Sequence, residues 1–203
     1  MKGLKNTEER QTYLEGLGDE YERLQNSPEV FIDQRDYRIY PIVTIGDQVW
    51  LGENLAYDSG EGTYIYDDDD NNLYKYGRLY TWEAAMRACP QCWELPSIED
   101  LTTLAENAGG YYNGVTNKEY GDEVKGYRAL SNHANNSFQI LLGGYRNTQE
   151  QCLGIGSAGC LGSASAGSGT SKWHMWFEYE ESVEIEEMSP NLAFSVRCIK
   201  KLD

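Results

Sequence analysis

The chain has 203 residues, 40% of them hydrophobic, with 21 glycines, 16 tyrosines and a formal net charge of −16. That length buries one ordinary core with an appendage, and so much glycine and tyrosine points to short strands and turns rather than a helical bundle. The charge excludes a phosphate backbone as partner, since nucleic acid needs a basic footprint, and argues equally against anionic membranes.

In chain order, Thr7 followed by Glu8 and Glu9 reads as a helix start, with Thr7 as N-cap and the acids placed favourably in the helix dipole. Tyr13, Leu14, Leu17, Tyr21 and Leu24 then fall at helical spacing, and Ser27-Pro28 closes the segment. Residues 1–30 are therefore expected to form one amphipathic helix outside the main core. From Asp33 the pattern turns to strand. "YRIYPIVTIGDQVWLGENL" holds two β-rich runs around Gly46-Asp47, a hairpin signal, with Pro41 expected at an edge or bulge because it lacks a ladder donor. Residues 60–74, with "DDDDNN", read as a polar surface loop.

Two helices come next. Trp82, Ala85, Met86 and Cys89 share one helical face, stopped by Pro90. Ser97 caps the second, with Glu99 and Asp100 in its first turn, Ile98, Leu101, Leu104 and Ala105 as its apolar stripe, and Gly109-Gly110 as its end. Beyond them the signals are short strands and loops. "FQILLGGYR" reads as a buried strand and turn, and "LGIGSAGCLGSASAGSGTS" as a long flexible loop. "WHMWFEYEE" and "FSVRCIK" are strand-like, the second alternating Phe194, Val196 and Cys198 against Ser195, Arg197 and Ile199. Helices grouped between strands indicate an α+β fold. No apolar run approaches the roughly 18 residues that span a bilayer, and the first 25 residues lack the apolar region of a secretory signal.

The stretches "DQRDYRIYPIVTIGDQVWLGENLAYD", "YGRLYTWEAAMRACPQCWELPSIEDLTTL", "FQILLGGYR" and "SVRCIK" together resemble the Fibrobacter succinogenes major paralogous domain family, over about Asp33 to Lys200. The resemblance implies a C-type-lectin-like fold of short antiparallel strands, two central helices and long ligand-carrying loops, here spanning 31–203 after the N-terminal helix. It also implies an exported or cell-surface protein. Three departures stand out: Cys92 and Tyr37 occupy family glycine positions, and Leu51 replaces a methionine. A fourth is "WFEYEE", where the family carries a segment similar to W-S-S-T.

Five cysteines are an odd number, so one is left over. Cys89 ends a helix, where the dipole opposes a reactive thiolate, so a thioredoxin-like oxidoreductase using Cys89 and Cys92 is kept only as a third reading. Zinc would want a second short pair, whereas Cys152 and Cys160 are eight apart. The lectin-like resemblance pairs Cys89 on the first central helix with Cys198 on the last strand, a cross-link with a ceiling of roughly 4.7 kcal/mol. Cys152 and Cys160 would then close the glycine-rich loop, for roughly 2.5 kcal/mol on the same chain-entropy reasoning. Such disulfides belong to an oxidising compartment and place any export segment outside this sequence.

For ligand binding the strongest candidate is "KWHMWFEYEE". Trp173, Trp176 and Tyr179 would stack on sugar rings while Glu178 and Glu180 accept hydroxyl protons; the competing reading makes the tryptophans core. His174 and His133 read as plain surface or core histidines. Asp67, Asp68, Asp69 and Asp70 offer oxygens for calcium, but Asn72 and Arg78 stand where a calcium loop wants glycine and glutamate, so a solvated charge run is the first reading. No other cofactor is implied. Tyr145, Arg146, Arg197, Glu53 and Asn54 read as structural. With no Ser/His/Asp set, phosphate loop or metalloprotease helix, the expected function is a non-catalytic adhesion or binding module for a polysaccharide, glycan or protein. The alternative is a structural subunit of a pilin-like surface filament or homo-oligomer, assembled through residues 1–30.

Overall fold

The computed structural model describes residues 6–131, 138–179 and 182–200. Two helices open it, α1 (Thr7–Gly16) and α2 (Asp19–Gln25), in place of the single helix expected. The break falls at Gly18, whose φ of +54° a helix cannot carry. The N-cap is Asn6 rather than Thr7: its side chain accepts from the Glu9 N–H at 2.8 Å. Leu14 is fully buried, and Arg10 Nε donates to the Asp36 carbonyl, so α1 is docked on the strands that follow.

Strands β1 (Val30–Asp33), β2 (Arg38–Ile45) and β3 (Gln48–Leu51) form a meander, and Gly46-Asp47 makes the two-residue β2–β3 turn as expected. Pro41 is not at an edge, because β2 is paired on both sides. It is tolerated because the β2–β3 ladder stops there: the Gly52 N–H donates to the Pro41 carbonyl, and no donor is needed in return. After β4 (Thr63–Tyr64) and a single 3-10 turn come α3 (Asp70–Tyr76), β5 (Leu79–Thr81) and α4 (Trp82–Ala85). α4 is one turn long and does not reach Cys89. Strand β6 (Trp93–Glu94) precedes α5 (Ile98–Ala108), which has the boundaries its residues specify. Ser97 and Asp100 exchange hydrogen bonds as a capping box, and Gly109 ends it.

Strands β7 (Gly110–Asn113) and β8 (Lys118–Gly121) form a hairpin ahead of α6 (Glu123–Ser131), a helix absent from the sequence reading. The chain then runs as β9 (Gly143–Arg146), β10 (Cys152–Ile155), β11 (Ala158–Ala166), β12 (Lys172–Glu178), β13 (Ser182–Met188), β14 (Ala193–Ser195) and β15 (Ile199–Lys200). Phe138 and Ile140 are buried without joining a ladder, so only the end of "FQILLGGYR" is strand. The supposed flexible loop is β10, β11 and their turns, and residues 158–163 are buried. Small side chains permit this: a Cβ on Gly159 would lie 2.6 Å from the Leu141 carbonyl oxygen.

A five-stranded sheet runs β1-β2-β3-β15-β6, and a larger one runs β10-β9-β14-β11-β12-β13-β7-β8, with β5 and β4 added beside β14. The fold is thus mixed α+β and mainly strand. The main core lies among the small sheet, α5, α6 and the inner face of the large sheet. It contains Trp50, Leu101, Leu104, Phe138, Met175 and Phe177. A second cluster, with Tyr40, Leu51, Tyr80, Ala88 and Val196, surrounds Cys198.

Residues 193–199 pass between the sheets and are buried on both sides, so the alternation read in "FSVRCIK" does not divide core from solvent. Arg197, wholly buried, holds this crossing: it donates to Asn54 Oδ1 at 2.6 and 3.1 Å and to the carbonyls of Gly52 and Gln139. Burial lowers its pKa to about 9, against the opposing charge of Glu53, so the guanidinium stays charged at neutral pH.

Cys89 and Cys198 are joined by a disulfide as expected. Cys152 and Cys160 are not joined, and both are free thiols. Their strands are not neighbours: β10 pairs β9, with Cys152 opposite Arg146, while Cys160 on β11 lies opposite Trp176. Cys152 Sγ instead accepts from the Asp67 N–H.

Candidate functional site

Along β12, side chains alternate between the two faces of the sheet. Trp173, Met175 and Phe177 share the inner face, and Trp173 packs against the main core. His174, Trp176 and Glu178 share the outer face. The two tryptophans therefore point to opposite sides and cannot form one platform; three residues apart on a strand, they could not have done so. Tyr179, beyond the strand end, is 74% exposed. Glu180 and His133 lie outside the described residues.

On the outer face the Trp176 indole is fixed from two sides. Its Nε1–H donates to Glu178 Oε1 at 2.9 Å, and the Tyr145 ring meets it edge-on with centroids 5.4 Å apart. Tyr145 comes from β9, which is not a neighbour of β12 in the sheet, an arrangement no local pattern announces. Register then brings Glu184 opposite Trp176 and Glu186 opposite His174. The alternation Val183, Glu184, Ile185, Glu186 carries the period-two signal of a half-buried strand and could have revealed these glutamates.

Glu178, Glu184 and Glu186 are half-buried, and none forms an ion pair among the described residues. Burial raises the pKa of Glu184, helped by Glu178 and Glu123; burial also raises that of Glu186, helped by Glu184 and Glu178. Lys172, on the same face, turns its ammonium onto the Trp82 ring, 4.1 Å from its centroid. Below the carboxylates His174 is fully buried against Phe194, ring centroids 4.0 Å apart. Neither of its nitrogens has a hydrogen bond of ordinary geometry among the described residues. Burial lowers its pKa to about 4, with the Lys172 backbone opposing.

These shifts give stability opposite pH dependences. Unfolded, the imidazole takes up a proton below its ordinary value of 6.5; folded, it resists down to about 4, so its share of stability falls as the pH drops through that range. Glu184 and Glu186 have folded pKa values above the unfolded one, so their share is present below about 4.5 and is lost as the pH rises through the raised values. From about pH 7.5 to about pH 5, His174→Leu should therefore spare about 2 kcal/mol of the wild-type change in unfolding free energy. Glu184→Gln/Glu186→Gln should steepen the acid loss. Urea melts at the two pH values check both, and parallel profiles for wild type and His174→Leu would contradict the buried-histidine account.

The acidic stretch is differently arranged. Asp67 and Asp68 lie in the 3-10 turn with positive φ, Asp69 caps α3 by accepting from the Asn71 N–H, and all of Asp67 to Asp70 are exposed. Among the described residues no three His, Cys, Asp or Glu side chains are grouped to hold a metal ion. Arg146 pairs with Glu150 at 3.5 Å and covers the Tyr64 ring, in keeping with a structural role.

Fold and surface define a two-sheet α+β domain that displays an aromatic, acidic sheet face. Residues 43–200 match the family model of the Fibrobacter succinogenes major domain, and the chain belongs to that family. No curated protein and no solved structure matches it. Among the described residues no helix is long and apolar enough to cross a membrane.

Proposed function

We propose that this chain is a non-catalytic binding module of an exported or cell-surface protein, and that it takes carbohydrate on the outer face of β11, β12 and β13. The observation that carries this reading is the Trp176 indole, half-exposed and locked between Glu178 and Tyr145 beside two further carboxylates. A pre-fixed aromatic plane loses little conformational entropy when a sugar ring stacks on it, and carboxylates accept hydroxyl protons. The lectin-like fold group suits such a role, and the Cys89–Cys198 disulfide suits an oxidising compartment. The filament reading draws less support, because Leu14 and Arg10 commit α1 to its own domain.

Retention on a panel of insoluble plant and host-type polysaccharides tests the reading. Trp176→Ala should lose about tenfold in affinity for whichever polymer retains the wild type. Trp173→Ala should bind as wild type while losing stability. Equal retention of Trp176→Ala would remove the face from consideration.

A further inference from the structure

Among the described residues of β12 and β13, carboxylates outnumber cations on the outer face. Glu178, Glu184 and Glu186 sit on adjacent strands of one face; Glu184 lies opposite Trp176 and so diagonal to Glu178, within the reach at which long like-charged side chains repel. Lys172, the nearest cation on β12, is engaged by Trp82. His174, on the same face and opposite Glu186, is a second observation: it is fully buried, and neither ring nitrogen has a hydrogen bond of ordinary geometry among the described residues. Neutral hydroxyls would hydrogen-bond these carboxylates but leave their mutual repulsion in place. The described residues offer no grouping for a metal ion that would relieve it. An ammonium group would do so, and the Trp176 ring would add cation–π attraction.

We propose that the ligand of this face is a cationic amino sugar polymer, with glucosamine-type units whose protonated amines sit among Glu178, Glu184 and Glu186 while a ring stacks on Trp176. The proposal rests on the carbohydrate reading above and narrows it. One consequence sets it apart from a structural role for the glutamates: removing their charge relieves repulsion in the free protein and removes the ligand's partners together. Glu184→Gln/Glu186→Gln should therefore raise the melting temperature while weakening binding.

Titration calorimetry with equal-length β-1,4-linked oligomers of glucosamine, N-acetylglucosamine and glucose provides the test. Wild type should bind the glucosamine oligomer about tenfold more tightly than either neutral one, and Glu184→Gln/Glu186→Gln should abolish that preference. The charge-matched control Glu8→Gln/Glu22→Gln, on exposed α1 and α2 positions, should keep it. Equal binding of all three oligomers would overturn the amine proposal and leave the carbohydrate reading standing. Equal losses in the control variant would reduce the effect to bulk charge and overturn the proposal. Binding of polylysine but of no sugar oligomer would overturn both readings in favour of a basic polypeptide, and binding of no probe at all would overturn both outright.

Discussion

Replacing Cys89 and Cys198 together by alanine should lower the unfolding free energy by about 4 kcal/mol. The bond joins residues 109 apart, so it removes much of the freedom of the unfolded chain, and loop-closure entropy grows with that separation. It also ties the turn after α4 to the segment that crosses between the sheets, where Cys198 is fully buried beside Val196 and Ala88. Domains are stable by only about 5–15 kcal/mol, so the loss is a large share of the total. Urea denaturation of the double variant measures it, with peptide mapping of unreduced wild type as the companion. The map should show Cys89 joined to Cys198 and free thiols at Cys92, Cys152 and Cys160. A Cys89–Cys92 peptide would contradict the account.

Arg197→Met should be comparably damaging, by about 3–5 kcal/mol. The substitution keeps bulk but withdraws the Arg197 donors from Asn54 Oδ1 and the Gly52 carbonyl, both buried, and from the Gln139 carbonyl of a half-buried residue. Arg197→Lys should recover only part of the loss, because an ammonium cannot span three acceptors as a planar fork does. Asn54→Ala attacks the same network from the other side, and it also strips the Tyr76 carbonyl of the Asn54 amide donor. Chemical denaturation of the three variants checks the order, and an unchanged midpoint for Arg197→Met would refute the network's role.

The parts legible in the sequence were those fixed locally. α5 could be bounded to the residue because the Ser97–Asp100 box and Gly109 are contiguous signals, and the β2–β3 turn announces itself at Gly46-Asp47. The Cys89–Cys198 bond came from family resemblance alone. The two family glycine positions have a backbone reason, since Tyr37 and Cys92 both adopt positive φ, which costs a side-chain-bearing residue energy. The Cys152–Cys160 pairing failed because closeness along the chain was taken for closeness in space, while β9 and β14 stand between β10 and β11 in the sheet. Trp176 and Glu178 were found as residues but not as an arrangement. Tyr145, Glu184 and Glu186 reach them only through strand order and register, which no single segment encodes.

The central claim is that a ligand lands on the Trp176 face. Among the five tryptophans, Trp50 is buried in the core and Trp173 packs on the inner face, so their indole N–H signals serve as internal references. The most direct measurement is a nitrogen–proton correlation spectrum of the indole groups, assigned by single Trp→Phe variants, during titration with the oligosaccharide that binds best. The account predicts that the Trp176 Nε1–H signal shifts in proportion to occupancy while those of Trp50 and Trp173 stay in place. Saturable binding that leaves Trp176 unmoved would contradict it.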